Sequence, residues 1–125
     1  MSTEPNRRAQ RGRTAEDLAA AHVRAQGLTI LARNVRVGRY ELDIVARDGD
    51  RIVVVEVRSR GHGAWQCALD TLSQHKRRCL RRAAFVLWSR RWSKWRGIHG
   101  VRFDVASVQL DGDEPVVTYV RAAFI

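Results

Sequence analysis

The sequence predicts a single α/β domain of the α+β type, in which a mixed central sheet is flanked by helices in the order αβββαββ. Three observations predict this fold. Two segments carry apolar residues at helical spacing, five short segments alternate or contain runs of valine, and glycine-containing turns separate them. A chain of 125 residues, 45% of them hydrophobic, suits one compact domain. We expect a flexible basic arm at residues 1–13 and the domain at residues 14–125.

Local signals in the first half predict one helix and three strands. Thr14, followed three residues later by Asp17, forms a capping-box-like start for a helix that ends at Gly27, a typical C-cap. The three strands are expected at residues 28–37, 40–47 and 51–60. Because Asp48-Gly49 is a strong hairpin signal, the last two of these strands should be antiparallel neighbours.

The second half is predicted to contain a long helix and two strands. The helix is expected at residues 67–91, and its core-facing stripe contains Leu69, Leu72, Lys76, Cys79, Leu80, Ala83 and Leu87. Lys76 interrupts an otherwise apolar stripe. The strands are expected at residues 101–110 and 116–124, with a polar turn between them.

The charge balance favours a polyanionic partner. The chain has 23 lysines and arginines against 13 acidic residues, a formal net charge of +10. Such a charge favours nucleic acid first and an anionic membrane surface second, although a genome biased toward arginine codons explains the count equally well. With no long apolar run, no signal-peptide pattern and only two cysteines, we expect a cytoplasmic protein that does not enter the membrane.

Several charged residues fall on positions that should face inward. Alternation along the predicted strands places Glu41 and Asp43 on one face of the second strand, and Glu56 and Arg58 on one face of the third. The hairpin brings Asp43 toward the segment that contains Glu56. Glu16 lies on the apolar stripe of the first helix, at i, i+3, i+4 and i+7 spacing with alanines and a valine. Four acids and two bases, Arg58 and Lys76, are therefore expected near the core.

These residue types suit a divalent metal site. Mg²⁺ prefers a few carboxylates with water and substrate phosphate, and a neighbouring cation can stabilise a phosphodiester transition state. Simpler interpretations stay open for each residue. Glu16 can favour a helix N-terminus through the dipole, Glu56 and Arg58 can form a solvated cross-strand pair, and Lys76 can extend to solvent from a core position. Glu41 at a strand start is more often exposed, and Asp43 can pair with a nearby arginine.

The long helix also carries a candidate nucleic-acid surface. Its outer face contains Arg77, Arg78, Arg81 and Arg82, which could follow a phosphate backbone or form a solvated basic face. Arg60 and Lys76 extend the set of candidate contacts. Trp88, Trp92 and Trp95 recur at helical spacing among basic residues. They suit stacking on single-stranded nucleic acid, but a hydrophobic stripe that docks the helix end on the domain is the favoured interpretation.

The ordered motifs resemble one family. The sequence is similar to the YraN-like bacterial proteins along "GRTAEDLAAAHVRAQGLTILARNVR", "ELDIVARDGDRIVVVEVRSR", "HKRRCLRRAA", "RFDVASV" and the terminal "AF". The likeness extends from about Gly12 to Phe124. The resemblance implies a restriction-endonuclease-like fold of the PD-(D/E)xK type, akin to archaeal Holliday-junction resolvases.

The resemblance implies a metal-dependent nuclease site. It assigns Glu16 as the helix acid, Glu41 and Asp43 as the acid pair, and Glu56-Val57-Arg58 as the acid-x-cation motif. Asp43 and Glu56, with Glu16 as a third or water-mediated ligand, would bind Mg²⁺ or Mn²⁺. The expected substrate is DNA, with branched and single-stranded forms included. Related resolvases act as dimers, which makes a homodimer one expectation.

Two positions depart from the family pattern. Tyr40 stands where the family usually has glycine, and Arg58 stands where it usually has lysine. Lysine can move a proton, whereas arginine stays charged. The first hypothesis is therefore an endonuclease in which Arg58 acts electrostatically. The alternatives are a nucleic-acid-binding module that lost activity with the motif lysine, and a basic protein that binds an acidic partner.

Overall fold

The computed structural model of the protein describes residues 7–60 and 73–124, with the side chains of residues 13–59 and 73–124. The predicted order αβββαββ is confirmed. The elements are α1 (Arg7–Ala25), β1 (Thr29–Val37), β2 (Tyr40–Asp48), β3 (Arg51–Arg60), α2 (Gln74–Arg90), β4 (Gly100–Gln109) and β5 (Val116–Phe124). A short 3-10 helix, Trp92–Lys94, follows α2.

The five strands form one mixed sheet in the order β1-β2-β3-β4-β5. Only β3 and β4 are parallel, and the other neighbours are antiparallel. Parallel neighbours need a crossover connection, and α2 lies in the connection between these two strands. The predicted mixed sheet flanked by helices is therefore confirmed.

Each face of the sheet is covered by one helix. The α1 cluster joins the small residues of α1, such as Ala19 and Val23, to the sheet. The α2 cluster joins Leu80, Leu87 and their neighbours to the opposite face. This two-sided cover explains the valine run of β3, because alternate valines must be buried on both faces. Val53 and Val55 belong to the α1 cluster, and Val54 belongs to the α2 cluster.

The predicted helix starts are wrong, and the strand predictions are close. α1 begins at Arg7, so Thr14 lies inside the helix and is not its N-cap. The preceding arginine, alanine and glutamine residues favour helix and extend it backward. α2 begins at Gln74, not at Cys67, because Ser73 caps it by accepting a hydrogen bond from the Lys76 N–H at 3.1 Å. Leu69 and Leu72 lie outside the described residues.

The predicted hairpin between β2 and β3 is confirmed. Asp48 pairs with Arg51, which leaves two residues in the turn. Gly49 has φ 60°, a conformation that glycine adopts without strain. The antiparallel register that starts at this turn fixes which residues of β2 and β3 lie opposite each other farther along the strands.

A buried carboxylate ties β4 to β5. Asp104 is fully buried and accepts two hydrogen bonds from the guanidinium of Arg102, at 2.9 and 3.0 Å. The Tyr119 hydroxyl and the Ala122 N–H also donate to it. Arg102 further donates to Asp48 at 2.8 Å, which connects this network to the β2–β3 turn. Because every partner is a donor, the charge of Asp104 is well satisfied inside the protein.

None of the described helices is long and apolar enough to cross a membrane.

Candidate metal centre

The candidate centre lies where β2 and β3 separate. The two strands pair from Asp48 and Arg51 as far as Ile44 and Val55, and Asp43 is the first residue of β2 beyond this pairing. The Asp43 carboxylate accepts a hydrogen bond from the Val57 N–H, with Oδ2 2.8 Å from the nitrogen. The side chain therefore replaces the backbone acceptor that a continued ladder would have provided. The predicted approach of Asp43 to the Glu56 segment is confirmed.

The alternation of β2 slips at the same place. Leu42 and Val45 both belong to the α2 cluster, whereas Ile44 and Ala46 belong to the α1 cluster. Strict alternation would place Leu42 on the same face as Ile44, so the alternation of β2 is interrupted between them. β2 stays paired with β1 through this segment, so the irregularity coincides with the end of the β2–β3 pairing alone. The slip allows the carboxylate of Asp43 to reach the side of the sheet that α1 covers.

Three carboxylates meet there. Among the described residues, one oxygen from each of Glu16, Glu41 and Asp43 lies within 4.8 Å of the other two. Glu16 and Asp43 therefore lie close together, and Glu41, which the residue pattern alone favoured as exposed, joins them. All three residues are half-buried. Like charges this close repel each other unless a proton or a cation lies among them.

Burial and repulsion shift the titration of this group. Burial and the neighbouring charge of Asp43 raise the pKa of Glu16, while Arg33 lowers it. The Arg33 guanidinium lies 3.8 Å from Glu16 and 2.8 Å from Asp17. Burial also raises the pKa of Asp43, and the hydrogen bond from Val57 opposes that rise. The centre therefore holds negative charge less readily than separate surface carboxylates would.

Asn34 contributes a contact that the sequence did not predict. The residue has φ 54°, in the left-handed region that asparagine tolerates better than most residues. With the amide oriented by its hydrogen-bonding neighbours, its nitrogen donates to Glu41 Oε1 at 2.8 Å and to Glu16 Oε1 at 2.9 Å. Asn34 thus holds two of the carboxylates side by side. Only the tertiary contact reveals this role, because an exposed strand asparagine carries no distinctive sequence signal.

Glu56 approaches the same point from the other face of the sheet. Its side chain alternates with the valines of β3 and is 5% exposed. Burial, followed by the charge of Asp43 and a hydrogen bond between the two side chains, raises the pKa of Glu56 to about 8. As a carboxylate, Glu56 would leave Oε2 buried without a donor. Either a proton shared with Asp43 or a cation supplies the positive partner that this oxygen needs.

Two bases lie beside Glu56. Lys76 is in the first turn of α2, and its Nζ is 3.6 Å from Glu56 Oε1. Its side chain is 43% exposed, so this core-stripe lysine reaches both Glu56 and solvent. Lys76 and Arg58 each lower the pKa of Glu56. The structure therefore brings together the two bases that the sequence singled out, on the α2 side of the acid group.

A cavity of about 350 Å³ opens beside the acids. It is lined by Arg13, Ala15, Glu16, Asn34, Glu41, Val57 and Ser59. Negative side chains form one part of its wall, and Arg13 and Ser59 add a cation and a hydroxyl. The cavity gives solvent and small groups access to the carboxylates from the α1 side.

The other predicted nucleic-acid contacts are dispersed. The side chain of Arg60 lies outside the described residues. Arg77 and Arg81 are half-buried, and the Arg77 guanidinium is 5.9 Å from the centre of the Phe124 ring. Arg78 and Arg82 are exposed, as expected.

The tryptophan stripe behaves mainly as packing. Trp92 is buried in the α2 cluster, and Trp88 packs against it. These contacts agree with the favoured interpretation, in which the stripe docks the end of the helix on the domain. Trp95 is 39% exposed and lies at the edge of this packing.

Comparisons with known proteins cover nearly the whole chain. Residues 15–108 match the uncharacterised protein family UPF0102. A UPF0102 protein of Sorangium cellulosum is 49% identical over 114 residues, which cover 90% of this chain and 79% of that protein. A UPF0102 protein of Pseudomonas aeruginosa is 44% identical over 118 residues, which cover 91% of each chain. A UPF0102 protein of Acidothermus cellulolyticus is 43% identical over 122 residues, covering 90% of this chain and 92% of its own.

The matched region contains the complete candidate centre. It extends across Glu16, the acid pair of β2, and the Glu56-Val57-Arg58 segment. The YraN-like resemblance of the sequence is confirmed by these matches, and the chain belongs to the UPF0102 family.

Proposed function

We propose that the protein is a Mg²⁺- or Mn²⁺-dependent endonuclease that hydrolyses phosphodiester bonds in DNA, including branched or flapped DNA. One observation carries the proposal. The carboxylates of Glu16, Glu41, Asp43 and Glu56 converge where β2 and β3 separate, in a protein with a net charge of +10. A basic protein that gathers acids at one point has a local need for a cation, while its remaining surface suits a polyanion.

The donor set fits the proposed ions. All four side chains offer carboxylate oxygens, which Mg²⁺ and Mn²⁺ prefer to nitrogen or sulfur. Asp43, Glu16 and Glu41 would hold the ion, and Glu56 would join them after losing its proton. The buried Oε2 of Glu56 supports this fit, because a carboxylate there needs a positive partner. When bound, such an ion activates water and offsets the charge that develops on a phosphodiester.

The chain's own residues would orient the reacting groups. The Val57 N–H fixes Asp43, and Asn34 holds Glu16 beside Glu41. Arg58 and Lys76 would face the negative charge of the substrate phosphate. Arg58 stays protonated and cannot move a proton, whereas a lysine can. Because Lys76 lies 3.6 Å from Glu56, it can supply the lysine that the motif position lacks.

The fold supports the proposal in a limited way. The mixed sheet with the order αβββαββ agrees with the restriction-endonuclease-like fold that the sequence resemblance implies. A fold alone does not specify an activity, so the acidic residues where β2 and β3 separate carry the proposal.

Cleavage assays test the proposal directly. The purified protein should nick supercoiled plasmid or cut a four-way DNA junction when Mn²⁺ is present, and chelation of the metal should stop the reaction. Asp43→Asn should abolish cleavage, because it removes a charged ligand and keeps an acceptor for Val57. Asp113→Asn, at an exposed position between β4 and β5, is the matched control and should retain full activity. Cleavage that survives Asp43→Asn contradicts the proposal.

A second candidate is a nucleic-acid-binding module without catalysis. Arg58 favours it, because arginine occupies the position where the family pattern has a lysine that can transfer a proton. This candidate requires salt-sensitive DNA binding and no cleavage with any divalent metal. A gain of cleavage in Arg58→Lys would favour it over the active enzyme. Absence of DNA binding at moderate salt would instead favour a basic protein that binds an acidic partner.

A further inference from the structure

A second hollow lies on the α2 side of the sheet, next to the β1–β2 turn. It has a volume of about 360 Å³ and is lined by Val37, Gly38, Tyr40, Arg82, Ala83, Val86 and Arg90. We call it the Tyr40 groove. One wall comes from the turn that joins β1 and β2, and the other comes from α2.

The α2 wall is basic and regular. Arg82, Val86 and Arg90 are spaced by four residues, so they form one stripe along the helix. The two arginines are eight residues apart, or roughly 12 Å along the axis, a distance that several successive phosphates of one strand span. Both arginines are exposed. No residue of α2 is acidic, so neither arginine can form an ion pair within its own helix.

The opposite wall offers an aromatic ring. Tyr40 is half-buried and packs in part against the α2 cluster, which fixes the position of the ring. None of the seven lining residues is acidic, so the groove has one sign of charge. A rigid aromatic face beside paired cations can stack an unpaired base and bind its phosphates. A base that is paired within a duplex does not present its face in this way.

The groove shares two structural elements, β2 and α2, with the candidate metal centre. Tyr40 directly precedes Glu41, whose carboxylate belongs to the acid group. The α2 helix carries Lys76, which contacts Glu56, six residues before Arg82. The groove opens on the α2 side of the sheet, where Glu56 and Lys76 lie, whereas the cavity beside Glu16 and Glu41 opens on the α1 side.

We propose that the Tyr40 groove binds a single strand of DNA, with an unpaired base stacked on Tyr40 and phosphates on Arg82 and Arg90. This inference rests on the proposed function for its biological meaning, because it names the substrate form: DNA that contains unpaired bases. The binding itself needs no metal.

Binding of a short fluorescein-labelled single-stranded DNA, followed by anisotropy in excess EDTA, tests the groove. Tyr40→Leu should weaken binding about fivefold or more, because a stacked base contributes about that factor, whereas Tyr40→Phe should bind like the wild type. Arg82→Ala with Arg90→Ala should weaken binding and reduce the slope of log affinity against log salt by about 1.4, for two lost phosphate contacts. The wild type should bind the single strand more tightly than a duplex of the same sequence.

A matched variant controls for loss of charge. Arg24 and Arg51 are exposed, on α1 and at the β2–β3 turn, away from the groove. Arg24→Ala with Arg51→Ala removes the same charge and should bind within about twofold of the wild type, or at least clearly more tightly than the groove double variant. Equal losses in the two double variants, or a Tyr40→Leu variant that binds like the wild type, would overturn the proposal.

The outcome for the groove can be separated from that for the nuclease. Asp113→Asn, at an exposed position between β4 and β5, should bind the single strand as well as the wild type. If binding depends on Tyr40, Arg82 and Arg90 but no DNA is cleaved with any divalent metal, the groove is a DNA-binding site and the protein is not an endonuclease. If DNA is cleaved with Mn²⁺ but substitutions of Tyr40, Arg82 and Arg90 leave single-strand binding unchanged, the endonuclease is supported and the groove proposal is refuted.

Discussion

Asp43 accepts a hydrogen bond from the Val57 N–H at 2.8 Å, at the place where β2 and β3 cease to pair. One side chain therefore has two roles. It closes the end of a backbone ladder, and it places a carboxylate within 4.8 Å of oxygens on Glu16 and Glu41. The separation of β2 from β3 leaves the Val57 N–H without a backbone acceptor, and it also makes room for the Asp43 carboxylate.

The two roles of Asp43 can be separated by substitution. Asp43→Ala should lower the free energy of unfolding by about 1–3 kcal/mol, because it leaves the Val57 N–H without a partner in a partly buried place. Asp43→Asn keeps an acceptor and removes one of several repelling charges, so its stability should be at least that of the wild type. Both variants should lose Mn²⁺ binding. Urea unfolding and calorimetric titration with Mn²⁺ measure the two effects, and an Asp43→Asn variant that binds Mn²⁺ normally would disprove the ligand role.

Glu56 should make the protein less stable as the pH rises. Its pKa is raised from 4.5 to about 8, so between these values the folded protein keeps a proton that the unfolded chain releases. The unfolded state then binds fewer protons, and the free energy of unfolding falls with pH by up to about 1.4 kcal/mol per pH unit. The stabilising contribution is complete below about pH 4.5 and is lost as the pH passes 8.

Glu56→Gln should flatten this dependence, because the amide has no proton to lose. Thermal or urea unfolding between about pH 5 and pH 9 measures it. The variant should be more stable than the wild type at the alkaline end. Glu114→Gln, at an exposed position, is the control and should leave the slope unchanged. A Glu56→Gln slope equal to that of the wild type would show that the pKa of Glu56 is not raised.

Asn34 should be a positioning residue for the acid group. Asn34→Gly removes the amide and suits the left-handed backbone at φ 54°, so the change tests the side chain without backbone strain. We expect affinity for Mn²⁺ to fall about tenfold or more, as it does when residues that orient metal ligands are removed. Calorimetric titration at constant pH measures the loss.

Arg36→Ala is the matched control for Asn34. The Arg36 guanidinium lies 3.9 Å from Glu41 but is 76% exposed, and exposed ion pairs contribute little. Its Mn²⁺ affinity should equal that of the wild type. If the two variants lose affinity equally, Asn34 has no special role in holding the carboxylates.

Asp104 should support the fold without affecting the metal centre. Asp104→Asn removes one of the two carboxylate partners of Arg102 and places an amide NH2 among hydrogen-bond donors, so the free energy of unfolding should fall by about 1–3 kcal/mol. The exposed substitution Asp113→Asn should leave stability unchanged. The folded fraction of Asp104→Asn should still bind Mn²⁺ with wild-type affinity, which calorimetry below the unfolding transition can check. Loss of Mn²⁺ binding by the folded variant would link this network to the centre.

Much of the fold follows from short-range pattern. The valine run of β3, the Asp48-Gly49 turn and the alternating strands of the second half are signals within about ten residues, and each strand lies where it was predicted. The predicted helix starts were wrong because they, too, were taken from short-range signals. Thr14 has the composition of an N-cap, but helix-favouring residues before it extend α1 back to Arg7.

The candidate site was predictable in its acids and bases but not in its geometry. Inward periodicity identified Glu16, Asp43, Glu56 and Lys76, because charged residues on apolar faces are unusual. The hydrogen bonds from Asn34 to Glu16 and Glu41 could not be predicted from periodicity. They depend on a left-handed residue in β1 that faces a helix from another part of the chain.

The sequence by itself determined the order of the elements, the hairpin register and the residue types that the fold must bury. These depend on periodicity and turn chemistry, which act between neighbours along the chain. Only the tertiary structure decided that β2 leaves β3 after Ile44, that Leu42 changes faces, and that Asp43 turns toward Glu16. Those outcomes come from packing two helices on opposite faces of one sheet, where burial and repulsion among distant residues select the arrangement.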